Sequence, residues 1–164
     1  MPVDGGFQCT VITPERRLFD APADFVAMPA HDGEIGILRD RAPLVCKLGV
    51  GILRIQAGGD THRIFVDGGF AQMLENTLVI LTPQARTPKE IDPAAEEAAL
   101  SRARSLRPTD AEGQAARRRD IDRAAARLKL TRPARSPDSR PKGNPRWRRA
   151  DAVSLNGGQR NRRV

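Results

Sequence analysis

The chain has 164 residues, with 28 Lys and Arg against 20 Asp and Glu, and a formal net charge of +8. The excess is local: residues 1–130 carry 18 basic and 18 acidic side chains, whereas residues 131–164 carry 10 and 2. A near-neutral body with a basic end is not a folded polycation. No apolar run approaches the ~20 residues that a bilayer-spanning helix needs. No basic start followed by an apolar stretch marks a secretory signal. Cys9 and Cys46 are too few for a disulfide scaffold and read as free thiols in a reducing compartment. Aromatic residues are 4% of the chain, with no Tyr and a lone Trp147, which argues against a nucleic-acid surface of stacked rings.

Residues 1–87 read as one β domain, 88–130 as a helical hairpin, and 131–164 as a disordered basic tail rich in Pro and Arg. In the first region Phe7, Cys9 and Val11 alternate with Gln8, Thr10 and Ile12. Pro14-Glu15 is a turn, and Arg16–Phe19 returns antiparallel. Strands then follow at Asp24–Met28, Pro43–Leu48, Ile52–Ala57, Thr61–Val66, Phe70–Leu74 and Thr77–Leu81. Gly49, Gly51, Gly58-Gly59, Gly68-Gly69 and Glu75-Asn76 punctuate them. Short strands without helical spacers predict antiparallel pairing in a sandwich or barrel.

In the second region Asp92 caps a helix with Pro93 at its first position, where the missing N–H costs nothing. Ala95, Ala99, Ala103 and Leu106 form a narrow apolar stripe, and Pro108 ends the helix. Thr109 and Glu112 fit a capping box for a second helix, whose stripe is Ile121, Ala124, Ala125 and Leu128. Alanine stripes bury little area, and Gly113 weakens the second helix further. Such a hairpin needs a partner surface and is suited to docking and detaching.

No catalytic constellation stands out. His31 and His62 have no neighbours at metal-ligand spacing. Cys9 and Cys46 sit among apolar strand residues and read as small buried hydrophobes. The glycine pairs precede strands rather than helices, so no phosphate-cradling loop is formed. The expectation is a protein that is not an enzyme and uses no cofactor or metal.

Two segments ask for more than a structural account. Residues 33–44 read Gly-Glu-Ile-Gly-Ile-Leu-Arg-Asp-Arg-Ala-Pro-Leu, and residues 66–76 read Val-Asp-Gly-Gly-Phe-Ala-Gln-Met-Leu-Glu-Asn. In this order, and followed by a helical hairpin, they resemble the epsilon subunit of F-type ATP synthase (delta in mitochondria). Gly33, Glu34, Gly36, Ile37, Leu38, Ala42, Pro43 and Leu44 keep the first pattern; Gly68, Gly69, Phe70 and Asn76 keep the second. Arg39, Asp40 and Arg41 depart from it, standing where the family has Pro, Gly and His.

The resemblance implies an N-terminal antiparallel β-sandwich of about ten short strands and a C-terminal helix–turn–helix. It implies a non-catalytic rotor subunit that couples the gamma subunit to the c-ring at the cytoplasmic face of a bacterial inner membrane. Membrane contact would come only through the complex. Gly33, Glu34, Ile37, Leu38, Arg41 and Pro43 are the implied gamma and c-ring contacts. Through the hairpin, Arg117, Arg118, Arg119, Arg123, Arg127 and Lys129 are the implied contacts to acidic loops of the catalytic beta subunits, restraining ATP hydrolysis. Some relatives bind ATP at a first-helix motif like Ile-Asp-x-x-Arg-Ala. Here Ala95 and Glu96 replace its Arg and Ala, which predicts weak or absent ATP binding. The rival expectation is a nucleic-acid-associated β module using residues 132–163 as a basic arm.

Overall fold

The structure is a computed structural model that describes residues 6–132. The expectation of a disordered basic tail, and the rival built on a basic arm, lie from residue 133 onward outside the described residues.

Among the described residues eight strands precede two α-helices. They are β1 (Phe7–Ile12), β2 (Arg17–Ala23), β3 (Phe25–Ala30), β4 (Gly33–Leu38), β5 (Leu44–Ala57), β6 (Asp60–Leu74), β7 (Thr77–Leu81) and β8 (Ala85–Arg86). Their order in the sheet is β2-β1-β7-β6-β5-β3-β4, with β8 also on β6. Among the described residues six of the seven strand pairings run antiparallel, but β1 and β7 pair in parallel, Gln8 opposite Thr77 and Ile12 opposite Leu81. Turn chemistry dictates direction only between strands joined by a turn, and no turn links β1 to β7.

Fewer and longer strands appear than the ten short ones expected. The segments expected at 43–48 and 52–57 form a single β5, and those at 61–66 and 70–74 a single β6. The glycines between them bend the strands without ending them: Leu48 pairs with Gly69, and pairing resumes at Val50–Asp67. Gly69 is required there. Its φ is +110°, and a Cβ would lie 2.0 Å from the Leu81 carbonyl oxygen. Beyond the bend β6 leaves β7 and pairs with β8 at Phe65 and Val66, so one long hairpin serves both layers of the sandwich. Val11, Val26, Met28, Ile37, Leu53, Ile55, Val66, Met73, Leu78 and Ile80 are buried between the layers. The Asp24 N–H donates to the Gln56 carbonyl at 2.8 Å and the Gly58 N–H donates to the Asp24 carboxylate at 3.1 Å, continuing the β3–β5 pairing, and the Phe19 and His62 ring centres lie 5.2 Å apart.

After a 3-10 turn at Pro88–Glu90 come α1 (Pro93–Ser105) and α2 (Ala111–Thr131). Asp92 caps α1 by accepting from the Ala94 N–H at 3.0 Å. The cap of α2 is Asp110 rather than Thr109, accepting from the Gly113 N–H at 3.2 Å. That shift of one residue moves Glu112 out of the position from which it would reach back. Gly113 also does more than weaken the helix: a Cβ there would stand 2.7 Å from Pro108 Cβ, so its absence lets the inter-helix turn close.

The buried stripe of α2 is rotated from the expected one. Ala124 and Leu130 are buried, whereas Ala125 is exposed. Leu130 packs with Phe65 and Ile91, flanked by Val50, Ile52 and Ala126, in a second small core between helix and sandwich. On α1 only Ala103 is buried, and Leu106, expected in the stripe, is exposed. Among the described residues no helix is long and apolar enough to cross a membrane.

Candidate functional site

Strand alternation sends Val45, Lys47, Phe70, Gln72, Leu74, Val79, Leu81 and Ile12 to one side of the sheet β1-β7-β6-β5, opposite the core-facing Cys46, Ala71, Met73, Leu78 and Ile80. The register makes rows on that side. Lys47, Phe70, Leu81 and Ile12 stand across four strands, and Val45, Gln72, Val79 and Thr10 form the next row. Val45 is 69% exposed, Phe70 57%, Leu81 52% and Leu74 45%. Large apolar side chains grouped on a sheet face mark a place where another surface belongs. None of the expected contact residues lies on this face. Its signal in the sequence is that Phe70, Leu74, Val79 and Leu81 are apolar at positions alternating with the core-facing Ala71, Met73, Leu78 and Ile80.

Next to that face lies the turn made by the first resembling segment. Leu38 is 60% exposed, and Arg41 and Pro43 follow it in the open. The turn is tied to the second segment: the Asp40 N–H donates to Asn76 Oδ1 at 2.7 Å, and Asn76 Nδ2 donates to Asp40 Oδ1 at 2.9 Å. Both residues sit at positive φ, 58° and 57°, a region that Asp and Asn tolerate better than other side chains. The Asn76 carbonyl also accepts from the Gln8 N–H at 2.9 Å, which ties the turn to β1.

The other expected contacts divide. Gly33 opens β4 at φ +145°, and Glu34 is exposed on that edge strand. Glu34 forms its ion pair with Arg54 on β5, not with Arg41. Ile37 is wholly buried in the sandwich core, which corrects its place among the contact residues. Alternation on β4 turns Ile37 inward, whereas Leu38 at the strand end is exposed.

The six basic residues of α2 divide as well. Arg118, Arg119 and Lys129 are exposed. Arg117 turns back to α1, donating to the Ala103 and Arg104 carbonyls at 3.0 Å each. Arg123 Nε donates to Asp67 Oδ1 at 2.9 Å, and this bond holds the Arg123 pKa above its ordinary value. Arg127 donates to Gln84 Oε1 at 2.8 Å and to Glu96 Oε1 at 3.3 Å, with its guanidinium 4.7 Å from the centre of the Phe65 ring. Arg119, Arg123 and Arg127 recur every fourth residue of α2, yet two of the side chains face inward and Arg119 faces solvent. A groove of about 270 Å³ runs between the helices, with Glu96, Arg102, Asp120, Arg123 and Arg127 on its walls.

The cysteines are poorly suited to nucleophilic chemistry. Burial, and then the Asp20 charge, push the Cys9 thiol up to about 12, and burial raises Cys46. Asp20 itself is held low by bonds from Arg17, Gln8 and Thr10. Among the described residues no three His, Cys, Asp or Glu side chains gather as metal ligands. What the molecule offers is surface: an apolar sheet face, a braced turn beside it, and a basic helix.

Comparison with known proteins agrees with this fold. The family described as "ATP synthase, Delta/Epsilon chain, beta-sandwich domain" matches residues 6–88. An ATP synthase epsilon chain from Rhodopirellula baltica is 50% identical over 78 residues, which are 48% of this chain and 61% of that one. One from a Synechococcus species is 37% identical over 117 residues, 71% of this chain and 85% of that one. A chain in the Euglena gracilis mitochondrial ATP synthase, in a structure of its OSCP/F1/c-ring, shares the fold with a TM-score of 0.69 at 22% identity, over 77% of this chain and 81% of that one. With the sandwich matched over its whole length and the hairpin included in the longer alignments, this chain belongs to the delta/epsilon chain family of ATP synthase.

Proposed function

We propose that this chain is a non-catalytic subunit of the central stalk of an F-type ATP synthase, joining the gamma subunit to the c-ring and peripheral to the cytoplasmic face of a bacterial membrane. The observation that carries this reading is the outward sheet face with Val45, Phe70, Leu74 and Leu81. Apolar side chains at that density are suited to a stable protein partner, and gamma is the partner the family implies. Leu38, Arg41 and Pro43 on the braced turn, with Glu34 on the edge strand, supply the polar and apolar groups for the ring loops. Arg41, unlike a histidine, keeps its charge at every physiological pH, so the facing ring loop needs an acid or a carbonyl.

Restraint of ATP hydrolysis through the hairpin belongs to the same reading. In the docked hairpin Arg118, Arg119 and Lys129 are available to an acidic surface, whereas Arg117, Arg123 and Arg127 are engaged within the chain. The contact with catalytic subunits would therefore begin with the first three.

The test is purification of the synthase in mild detergent from cells carrying a tagged copy of this chain. The expected result is one copy bound with gamma and the c-ring, and loss of that association in Phe70→Thr. An intact synthase without the chain, the chain being recovered free, overturns the reading.

A further inference from the structure

The dipeptide Asp-Gly occurs twice among the described residues, at Asp32-Gly33 and at Asp67-Gly68, and the fold treats the two pairs oppositely. Asp67 lies at the bend of β6. Its N–H donates to the Gln84 carbonyl at 3.0 Å, its carboxylate accepts from Arg123 Nε at 2.9 Å, and its side chain is 12% exposed. Asp32 stands in the two-residue turn between β3 and β4, next to the Ala30–Gly33 pair. The His31 N–H donates to the Lys47 carbonyl at 3.2 Å and fixes the start of the turn. His31, Asp32, Gly33 and Glu34 are all exposed. The side-chain bonding of this turn among the described residues is that of Glu34 to Arg54, and Asp32 has no part in it. Gly33 has a φ of +145°, and a Cβ built on it would meet no atom within 4 Å, so nothing crowds its amide from that side.

An aspartate followed by glycine carries a reaction of its own. The glycine nitrogen attacks the aspartate Cγ. An N–Cγ bond forms, the amide proton and the carboxyl hydroxyl leave as water, and a five-membered imide results. Water then adds to either imide carbonyl. Breaking the N–Cγ bond restores aspartate. Breaking the original peptide bond leaves the main chain running through Cβ and Cγ, with the α-carboxylate as a side group, which is isoaspartate. The water released in the first step is taken up in the second, and the mass of the chain is unchanged. Glycine favours the attack because its nitrogen is unshielded and its backbone turns freely into position.

We propose that Asp32-Gly33 is a self-modification site at which this chain isomerises to isoaspartate, whereas the fold protects Asp67-Gly68. Reaction at Asp67 requires the bend of β6 to open, with loss of the Gln84 and Arg123 bonds. Reaction at Asp32 requires only rotation within an exposed turn. The product has one more main-chain atom in a two-residue turn, which misfits the Ala30–Gly33 pair and draws Glu34, the next residue of β4, away from Arg54. Because β4 ends the order of the sheet, the disturbance falls on an edge and not between paired strands. The inference concerns the free chain and does not rest on the stalk reading.

The experiment ages the purified full chain in neutral buffer, digests it with trypsin and locates isoaspartate by electron-transfer fragmentation, which separates it from aspartate of equal mass. Cleavage after Arg17 and Arg39 isolates residues 18–39, and cleavage after Arg63 and Arg86 isolates residues 64–86. Asp4-Gly5 and Asn156-Gly157 lie outside the described residues and fall in other peptides. The expected result is at least about tenfold more isoaspartate at Asp32 than at Asp67, because only the latter must wait for local opening. Asp32→Glu, whose longer side chain would have to close a less favoured ring, is expected to remove the signal from residues 18–39. Ageing in guanidinium chloride removes the protection at Asp67 and should bring the two positions within about threefold of each other. Equal accumulation at Asp32 and Asp67 in the folded chain, or none at Asp32, overturns the proposal.

Discussion

Asp40 and Asn76 hydrogen-bond each other twice, backbone N–H to side-chain carbonyl in one direction and side-chain amide to carboxylate in the other. The two residues are 36 apart in the chain and belong to the two segments whose pattern marks the family. Each occupies the left-handed region of backbone conformation, so each turn is shaped to suit the other. The link holds the exposed turn after Leu38 against the end of the outward sheet face.

Asn76→Gly keeps the backbone conformation and removes both bonds; Asn76→Ala removes the bonds and adds conformational strain. The expected loss of stability is about 1 kcal/mol for Gly and about 2 kcal/mol for Ala, measured by urea unfolding of the free chain. A neutral Asn76→Gly would mean that the bridge contributes nothing.

Glu90 links the 3-10 turn to the first hairpin. Its carboxylate accepts from the Thr87 backbone N–H at 2.7 Å and the Thr87 hydroxyl at 2.8 Å, and pairs with Arg16. These partners lower its pKa from 4.5 to about 2. A carboxylate lowered in the folded state adds stability above its unfolded value near 4.5, and that gain disappears as the pH falls toward 2. The group is 35% exposed, so solvent screening keeps the gain small. Glu90→Gln is expected to lower the melting temperature at pH 7 by roughly 3 °C, with the difference from the parent closing between pH 4.5 and pH 2. A difference that stays constant with pH would assign the loss to packing instead of charge.

Phe70→Thr tests the outward face. Threonine keeps the β-branched preference for a strand and removes most of the apolar area. The free chain should unfold within about 0.5 kcal/mol of the parent, because Phe70 is exposed. Its binding to gamma should fall by more than tenfold in a pull-down titration. A large loss of stability in the free chain would show that the face is part of the fold.

ATP should bind the isolated chain poorly. The groove between the helices has Glu96 on its wall, already bonded to Arg127, and Asp120 beside Arg123 at 3.4 Å. A phosphate would have to displace one carboxylate and sit near another. Calorimetry at pH 7 is expected to give no dissociation constant below about 0.1 mM, equivalent to roughly 5.5 kcal/mol. Tighter binding would show that Glu96 swings clear of the groove.

Much of the architecture is written in local chemistry. The Asp92-Pro93 start of α1 and the turn of Phe7 and Cys9 inward beside the exposed Gln8 depend on neighbours a few residues away and are seen where expected, whereas α1 ends at Ser105, short of Pro108. The two resembling segments are equally local as patterns. Other features depend on residues far apart in the chain. Whether Gly49 and Gly68 end a strand or bend it is decided by the partner strand, since pairing across β5 and β6 resumes beyond them. The parallel pairing of β1 with β7 has no turn to announce it.

The candidate surfaces follow the same division. Sequence by itself determined the strand-rich body, the helical hairpin, the neutral body with a basic end, and the family resemblance, because hydrophobic period, caps and charge counts are properties of short stretches. Only the tertiary structure decided that Ile37 is core, that Glu34 pairs with Arg54, and that Arg123 and Arg127 face inward to Asp67, Glu96 and Phe65. An arginine on a helix looks the same in sequence whether it meets water or a carboxylate. The rotation of the helix on the sandwich settles which, and that rotation is the joint outcome of every contact across the interface.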